Sequence, residues 1–230
     1  MKRAETWLAG RTRAGLAALA LCAASTTASA LSYRLIDADL PNCKGPCPKV
    51  IVVSGTIGQN EYLQFISFLK DANASHRLSS TVLIESPGGF RGDGAILGIL
   101  LRKLKMKVIV ARPTGNVVTA NSGLAPATCA SACVLVLAGG TSRFFVPGSR
   151  VGVHRSHTGR AVLDPATRKN VSGTVDHAAN VEQHVQFFRT MGVDPQLSKV
   201  IDDTPSETIR WLTPEEMKRY RLAQPSGGAR

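Results

Sequence analysis

Residues 129–140 read CASACVLVLAGG. One hydroxyl, Ser131, stands between Cys129 and Cys133. The apolar run from Val134 to Ala138 follows, and Gly139-Gly140 ends it. The length and hydropathy of the run predict a buried helix. A serine in the first turn of such a helix has two readings. It is a helix cap with no further role, or it is a nucleophile held where unpaired N–H groups and the helix dipole favour negative charge. The neighbouring segments decide between them.

Upstream, apolar strands alternate with helical patterns. Lys49 to Ser54 (KVIVVS) is a β-branched run stopped by Gly55, and Thr81 to Ile84 is a second apolar strand. Lys107 to Ala111 is a third. Between them Glu61 to Asp71 places Tyr62, Phe65, Ile66 and Leu69 at helical spacing, and Gly94 to Leu104 is an apolar helix. Strands that are apolar throughout argue for a mainly parallel sheet covered on both faces.

Downstream, Ser142 to Val146 and Arg150 to His154 read as short strands around Pro147-Gly148. Val171 to Met191 reads as the longest helix, and Asp194 to Ile201 as a short one. Arg210 to Thr213 reads as a strand. Thr213-Pro214-Glu215-Glu216 then has an N-cap residue, Pro at N1 and acids in the first turn. Pro113 to Thr128, rich in Gly, Asn, Thr and Ala, reads as a loop or insertion.

The ends are set apart from the fold. Residues 1–30 carry Lys2, Arg3, Arg11 and Arg13, an apolar stretch from Ala14 to Ala24, and Ala28-Ser29-Ala30. That is a positive n-region, a short h-region and an A-x-A cleavage site, the pattern of a signal peptide. An uncleaved anchor is the alternative. Leu21 is too large for Cys22 to read as a lipidation site. The expected organisation is a leader over 1–30, a single domain over 31–223 and a disordered tail over 224–230. The expected location is periplasmic or secreted.

The 230-residue chain has a net charge of +12, but its basic residues are scattered and its aromatics few. A solvated basic surface accounts for this better than nucleic-acid binding, which needs stacking platforms. Beyond the leader stand Cys43, Cys47, Cys129 and Cys133. An even number in an exported chain points to disulfides. Three pairings are open, two local loops or either pair of cross-links. A thiolate zinc site is the alternative, at a spacing outside the common C-x2-C pattern. No metal or cofactor is expected.

Two further features bear on Ser131. Glu85-Ser86-Pro87-Gly88-Gly89 closes a strand before a helix, and its paired glycines can turn sharply and bare an N–H for an anion. The N–H of Ala132 is placed to join that of Gly88 or Gly89 in an oxyanion hole. Small Ala130 and Ala132 would let a substrate backbone approach. His154 ends a strand pattern and can take a serine proton near neutral pH. His184 and His177 read as the polar face of a helix, and His76 and His157 have no comparable setting.

The ordered set SPGG, S-A-C-x-x-x-x-A-G-G and R-x-x-x-P-x-S-R-x-x-x-H resembles the proteolytic subunit of Clp protease and its relatives in the ClpP/crotonase superfamily. In particular it resembles the exported Clp-protease-like proteins that keep a C-x-S-A-C core. Trp211-Leu-Thr-Pro-Glu215 extends the resemblance, which covers roughly residues 48 to 223. It implies a spiral of ββα units forming a mainly parallel sheet flanked by helices. It also implies Ser131 as nucleophile, His154 as general base, and Gly89 with Ala132 as oxyanion donors.

The resemblance departs at the third catalytic residue. An Asp is expected just before the late strand, where Ile209 stands without gaps. Glu207 or Asp203 could serve with a small shift. The segment before Cys129 has no family counterpart.

The resulting expectation is an exported serine hydrolase, a peptidase acting on peptide or protein substrates, as a homo-oligomer without an ATPase partner. The alternative is a catalytically silent module of the same fold, used for binding or assembly. Crotonase-type acyl-CoA chemistry ranks lower, because coenzyme A is not expected in that compartment.

Overall fold

The computed structural model describes residues 30–39, 43, 46–119, 122–156 and 180–227, and the backbone of 161–163, 170–172 and 177–179. The leader before residue 30, His157 and residues 228–230 lie outside the described residues. The elements in chain order are β1 (Ser32–Asp39), β2 (Lys49–Ser54), α1 (Glu61–Ser75), β3 (Leu78–Glu85), α2 (Arg91–Lys103), β4 (Lys107–Val110), β5 (Arg112–Pro113) and β6 (Val117–Thr119). Then come β7 (Leu124–Ala125), β8 (Thr128–Ala130), α3 (Ala132–Gly139), β9 (Ser142–Phe145), β10 (Arg150–Val153), β11 (Ala161–Leu163) and β12 (Asn170–Ser172). The chain continues through α4 (His177–Thr190), α5 (Leu197–Asp203), β13 (Arg210–Leu212), α6 (Pro214–Arg219) and β14 (Gln224–Pro225).

The main sheet has the order β14-β9-β4-β3-β2-β1-β6. The strands β2, β3, β4, β9 and β14 run parallel, while β1 pairs antiparallel with β2. Consecutive β2 residues serve opposite faces. Ile51 and Val53 enter the larger core under the helices, and Val50 and Val52 enter a second core with Ile36, Leu83 and Val118. This is why the run KVIVVS is apolar without alternation. A smaller sheet, β13-β10-β8, joins the main one where Ser86, just past β3, bridges to Cys129 of β8.

The helix in CASACVLVLAGG is α3, and all eight of its residues are buried. It meets α2 through glycines. A Cβ on Gly139 would collide with the Gly98 carbonyl oxygen, and one on Gly94 would stand 2.6 Å from that of Ala132. The two backbones thus approach more closely than side chains would allow. Arg143 closes the far end. Its guanidinium donates to carbonyls of Gly140 (2.8 Å), Met191 (3.1 Å), Arg221 (2.8 Å) and Leu222 (2.9 Å), tying together the chain segments after α3, α4 and α6. Burial lowers its pKa to about 10.

The structure departs from the sequence pattern in four places. β1 joins the sheet although SYRLIDAD shows only partial alternation, because β2 supplies its register. The stretch expected as a loop, 113–128, carries β6, which pairs with β1 at the sheet edge. The helix expected from Val171 starts at His177, after the β11–β12 hairpin. Gln224–Pro225, expected in a disordered tail, pairs with Phe144 and Phe145 as β14. The start of α6 follows its pattern: Thr213 Oγ accepts from the Glu216 N–H, the Glu216 side chain accepts from the Thr213 N–H, and Pro214 stands in the first turn. No helix among the described residues is long and apolar enough to cross a membrane.

Candidate functional site

The chain leaves β8 at Ala130 and enters α3 at Ala132, so the whole turn falls on Ser131. Its backbone has φ 55° and ψ −123°, a region that L residues rarely occupy. The turn is pinned on each side. The Ala130 N–H donates to Ser86 O (3.0 Å), the Ser131 N–H to Gly152 O (2.9 Å), and the Val134 N–H to Ser131 O (3.0 Å). Although Ser131 occupies the N-cap position, its side chain makes no capping hydrogen bond. A serine kept for capping would use its oxygen to accept a helix N–H. This one is half-exposed on a sharp strand-to-helix turn, the geometry that presents a nucleophile.

The glycine turn lies against it. Ser86 is fully buried, its backbone is bonded to β8 on both sides, and its Oγ accepts from the Gly88 N–H at 3.1 Å. Ile57 holds the next step: its N–H donates to Gly88 O (2.8 Å), and its carbonyl accepts from Phe90 (2.9 Å). Gly88 has φ 103°, and a Cβ there would lie 2.7 Å from Ser131 Cβ and 3.0 Å from the Ala132 nitrogen. The Gly88 N–H is thus committed to Ser86. Among the described residues, the N–H groups of Gly89 and Ala132, the other two positions expected as oxyanion donors, donate to no backbone acceptor outside the helix and strand ladders. The role of Ser86 has no sign in the sequence beyond its place inside the SPGG motif. Ala130 and Ala132 are buried, with Ala132 against Gly94. Their small size permits this close contact of elements.

His154 follows β10, which runs parallel to β8 with Gly152 opposite Ala130. Two parallel strands therefore deliver Ser131 and His154 to the same end of the small sheet. His154 is half-buried, with its Nδ1 fully buried. The next residue, Arg155, donates its N–H to Thr204 O at 2.9 Å, which brings the end of α5 to the histidine strand.

The carboxylates near that end differ in setting. Asp203 is exposed and holds Lys199 at 2.9 Å. Glu207 is exposed and accepts from Ser206 Oγ. Asp202, which no sequence motif singles out, is half-buried and close enough to His184 to favour its charged form. His184 itself, expected on a polar helix face, is only 8% exposed and stacks on Phe188. Burial, reinforced by the nearby Arg91 guanidinium, outweighs Asp202 and pulls its pKa down to about 4. In helical projection His184 falls between Phe187 and Phe188, inside the apolar arc of Val181, Val185, Phe187 and Phe188.

The cysteines form the two local bridges, Cys43–Cys47 and Cys129–Cys133, with Cα separations of 5.7 and 5.3 Å. All four sulfurs are thereby taken from a thiolate metal site. The second bridge runs from β8 to the second residue of α3 and spans Ser131.

No protein-family model matches the chain, and no curated protein matches it. Solved structures do match. One is a serine-to-alanine mutant of the 1510-N membrane-bound stomatin-specific protease. It is 15% identical, with a TM-score of 0.50, over 83% of this chain and 79% of that one. A lysine-to-alanine mutant of the same protease, in complex with a substrate peptide, matches at 15% identity and TM-score 0.50, over 83% and 74% of the two chains. An asparagine-to-aspartate mutant of ClpP1 from Listeria monocytogenes is 18% identical with a TM-score of 0.46, over 76% and 89%. The chain has the ClpP-like α/β fold, a large, mainly parallel curled sheet flanked by helices.

Proposed function

We propose that this chain is an exported serine hydrolase acting on peptide or protein substrates, assembled as a homo-oligomer. The observation that carries the reading is the backbone of Ser131: a positive φ at a strand-to-helix turn, with Oγ released from capping. Strain of this kind costs on the order of 1–3 kcal/mol and persists where the surroundings impose it. The flanking hydrogen bonds and Gly88 supply those surroundings. The two structures named as a stomatin-specific protease support the fold on which such a site is built.

In the proposed reaction His154 takes the Ser131 hydroxyl proton as Oγ bonds to the substrate carbonyl carbon. The developing oxyanion lies against the N–H groups of Gly89 and Ala132 at the α3 N-terminus. Collapse expels the amine, which leaves with the proton from His154, and water then releases the acyl group by the same steps. A carboxylate of the 202–207 segment orients the imidazole. Asp203 is the weakest candidate, because its carboxylate already holds Lys199 on the outer surface. Glu207 and Asp202 stand ahead of it. Export rests on the leader pattern and on the two bridges.

The test is labelling with a fluorophosphonate. Wild-type protein takes up one label on Ser131, Ser131→Ala takes none, and His154→Ala slows labelling by about a hundredfold or more. A folded wild type that takes no label and cleaves no peptide or ester defeats this reading. It would leave the non-catalytic binding module, which the engagement of Asp203 with Lys199 favours.

A further inference from the structure

The Cys129–Cys133 bridge closes a ring of five residues, and the proposed nucleophile and an oxyanion donor both lie inside it. Ser131 carries the hydroxyl, and Ala132 carries the N–H. Outside the ring the anchors are unequal. Cys129 is fixed in β8, opposite Val151 of β10 on one side and bridged to Ser86 on the other. Cys133 is on α3, which is held to α2 mainly by close backbone contact at Gly94, Gly98 and Gly139. Ser131 is the one residue between β8 and α3, so any shift of α3 relative to β8 acts on its backbone and on the Ala132 N–H at the helix start. The hydrogen bonds around Ser131 bind backbone to backbone, and among the described residues none outside the helix ladder ties the start of α3 to β8 beyond the turn itself. The bridge does. Both half-cystines are fully buried, so it acts as a constant part of the fold rather than an exchanging surface bond.

We propose that Cys129 and Cys133 are positioning residues: their bridge locks the Ser131 hydroxyl and the Ala132 N–H in one covalent ring and holds them in catalytic register. This rests on the hydrolase reading and deepens it. A five-residue loop constrains the unfolded chain less than a long one, so the effect is concentrated on the geometry of the site. A displacement of about 1 Å at a reacting group can cost about a hundredfold in rate.

The experiment compares the full chain with Cys129→Ala/Cys133→Ala, using Cys43→Ala/Cys47→Ala as the remote-bridge control. Three quantities are read: the maximal rate of fluorophosphonate labelling, the probe concentration at half-maximal rate, and amide hydrogen exchange over residues 131–134. The expected result is a maximal rate lower by at least about tenfold and faster exchange at 131–134. Half-saturation and the folded circular-dichroism spectrum stay unchanged, and the control labels like wild type.

Labelling and exchange at wild-type values overturn the proposal. So does an equal loss in the control pair, which would indicate a general effect on stability. Should the alanine pair not fold, Cys129→Val/Cys133→Ala restores volume and is judged by the same readings; failure of both pairs to fold overturns a positioning role. A wild type that takes no label defeats the hydrolase reading, and exchange then decides the brace. Acceleration confined to 131–134 sustains it, and none overturns it.

Discussion

The two flanks of the candidate site are built by different means. On the serine flank, β8, Ser131 and α3 form a continuous stretch of chain, buried almost throughout and crossed by a disulfide. On the acid flank, the end of α5 and the segment after it carry half-buried Asp202 and exposed Asp203 and Glu207, which answer to the surroundings of His184, to Lys199 and to Ser206. The contrast shows where tolerance to change should lie. Close-packed backbone transmits any added atom directly to Ser131. Exposed carboxylates in water lose little when a neighbour is neutralised.

The largest effect expected from this contrast is at Gly88. A methyl group there meets Ala130 O at 2.6 Å and Ser131 Cβ at 2.7 Å, on a backbone with φ 103°. Gly88→Ala should cost about 2 kcal/mol or more of stability in urea titration. It should also slow fluorophosphonate labelling by about a hundredfold. A variant that labels normally would show that the serine flank is less tightly built than its geometry indicates.

His184 provides the next effect. Its folded pKa, about 4, lies below the ordinary value of 6.5. Unfolded chains therefore take up a proton between these values while the folded state does not, so stability falls as pH drops from about 6.5 to about 4. The loss is on the order of 3 kcal/mol. Urea midpoints measured across that window should flatten in His184→Gln, whose side chain does not titrate. An unchanged slope would remove His184 as the source.

The smallest effect belongs to Asp203. Asp203→Asn should leave labelling within about twofold and the urea midpoint unmoved, as for an exposed ion pair. If it instead slows labelling as much as His154→Ala, Asp203 is the orienting acid, and the acid flank is as tightly specified as the serine flank.

Legibility in the sequence follows the same division. Apolar runs such as KVIVVS and CVLVLAGG reveal buried strands and helices because their burial on all sides leaves a local mark in composition. The SPGG turn and the Thr213–Glu216 capping box are legible for a similar reason, since their chemistry is complete within a few residues. His184 sits at apolar helical spacing, three residues after Val181 and four before Phe188, so its burial is signalled by position although its polarity points to the solvent face. β6 and β14, the two edge strands, and β1, which lies beside the β6 edge, are faint or absent in the pattern because they take their register from partner strands rather than from their own sequence.

Short segments alone commit this chain to a mainly parallel α/β arrangement, to a serine at the head of a buried helix, and to a glycine turn and a histidine that accompany it. Each of these is a local property. Only the assembled fold selects which disulfides close, gives the Gly88 N–H to Ser86 rather than to substrate, and leaves the serine oxygen out of the helix cap. These depend on which strand ends meet. Such meetings are fixed by burial of both sheet faces and by the close approach of α2 and α3, which no single segment encodes.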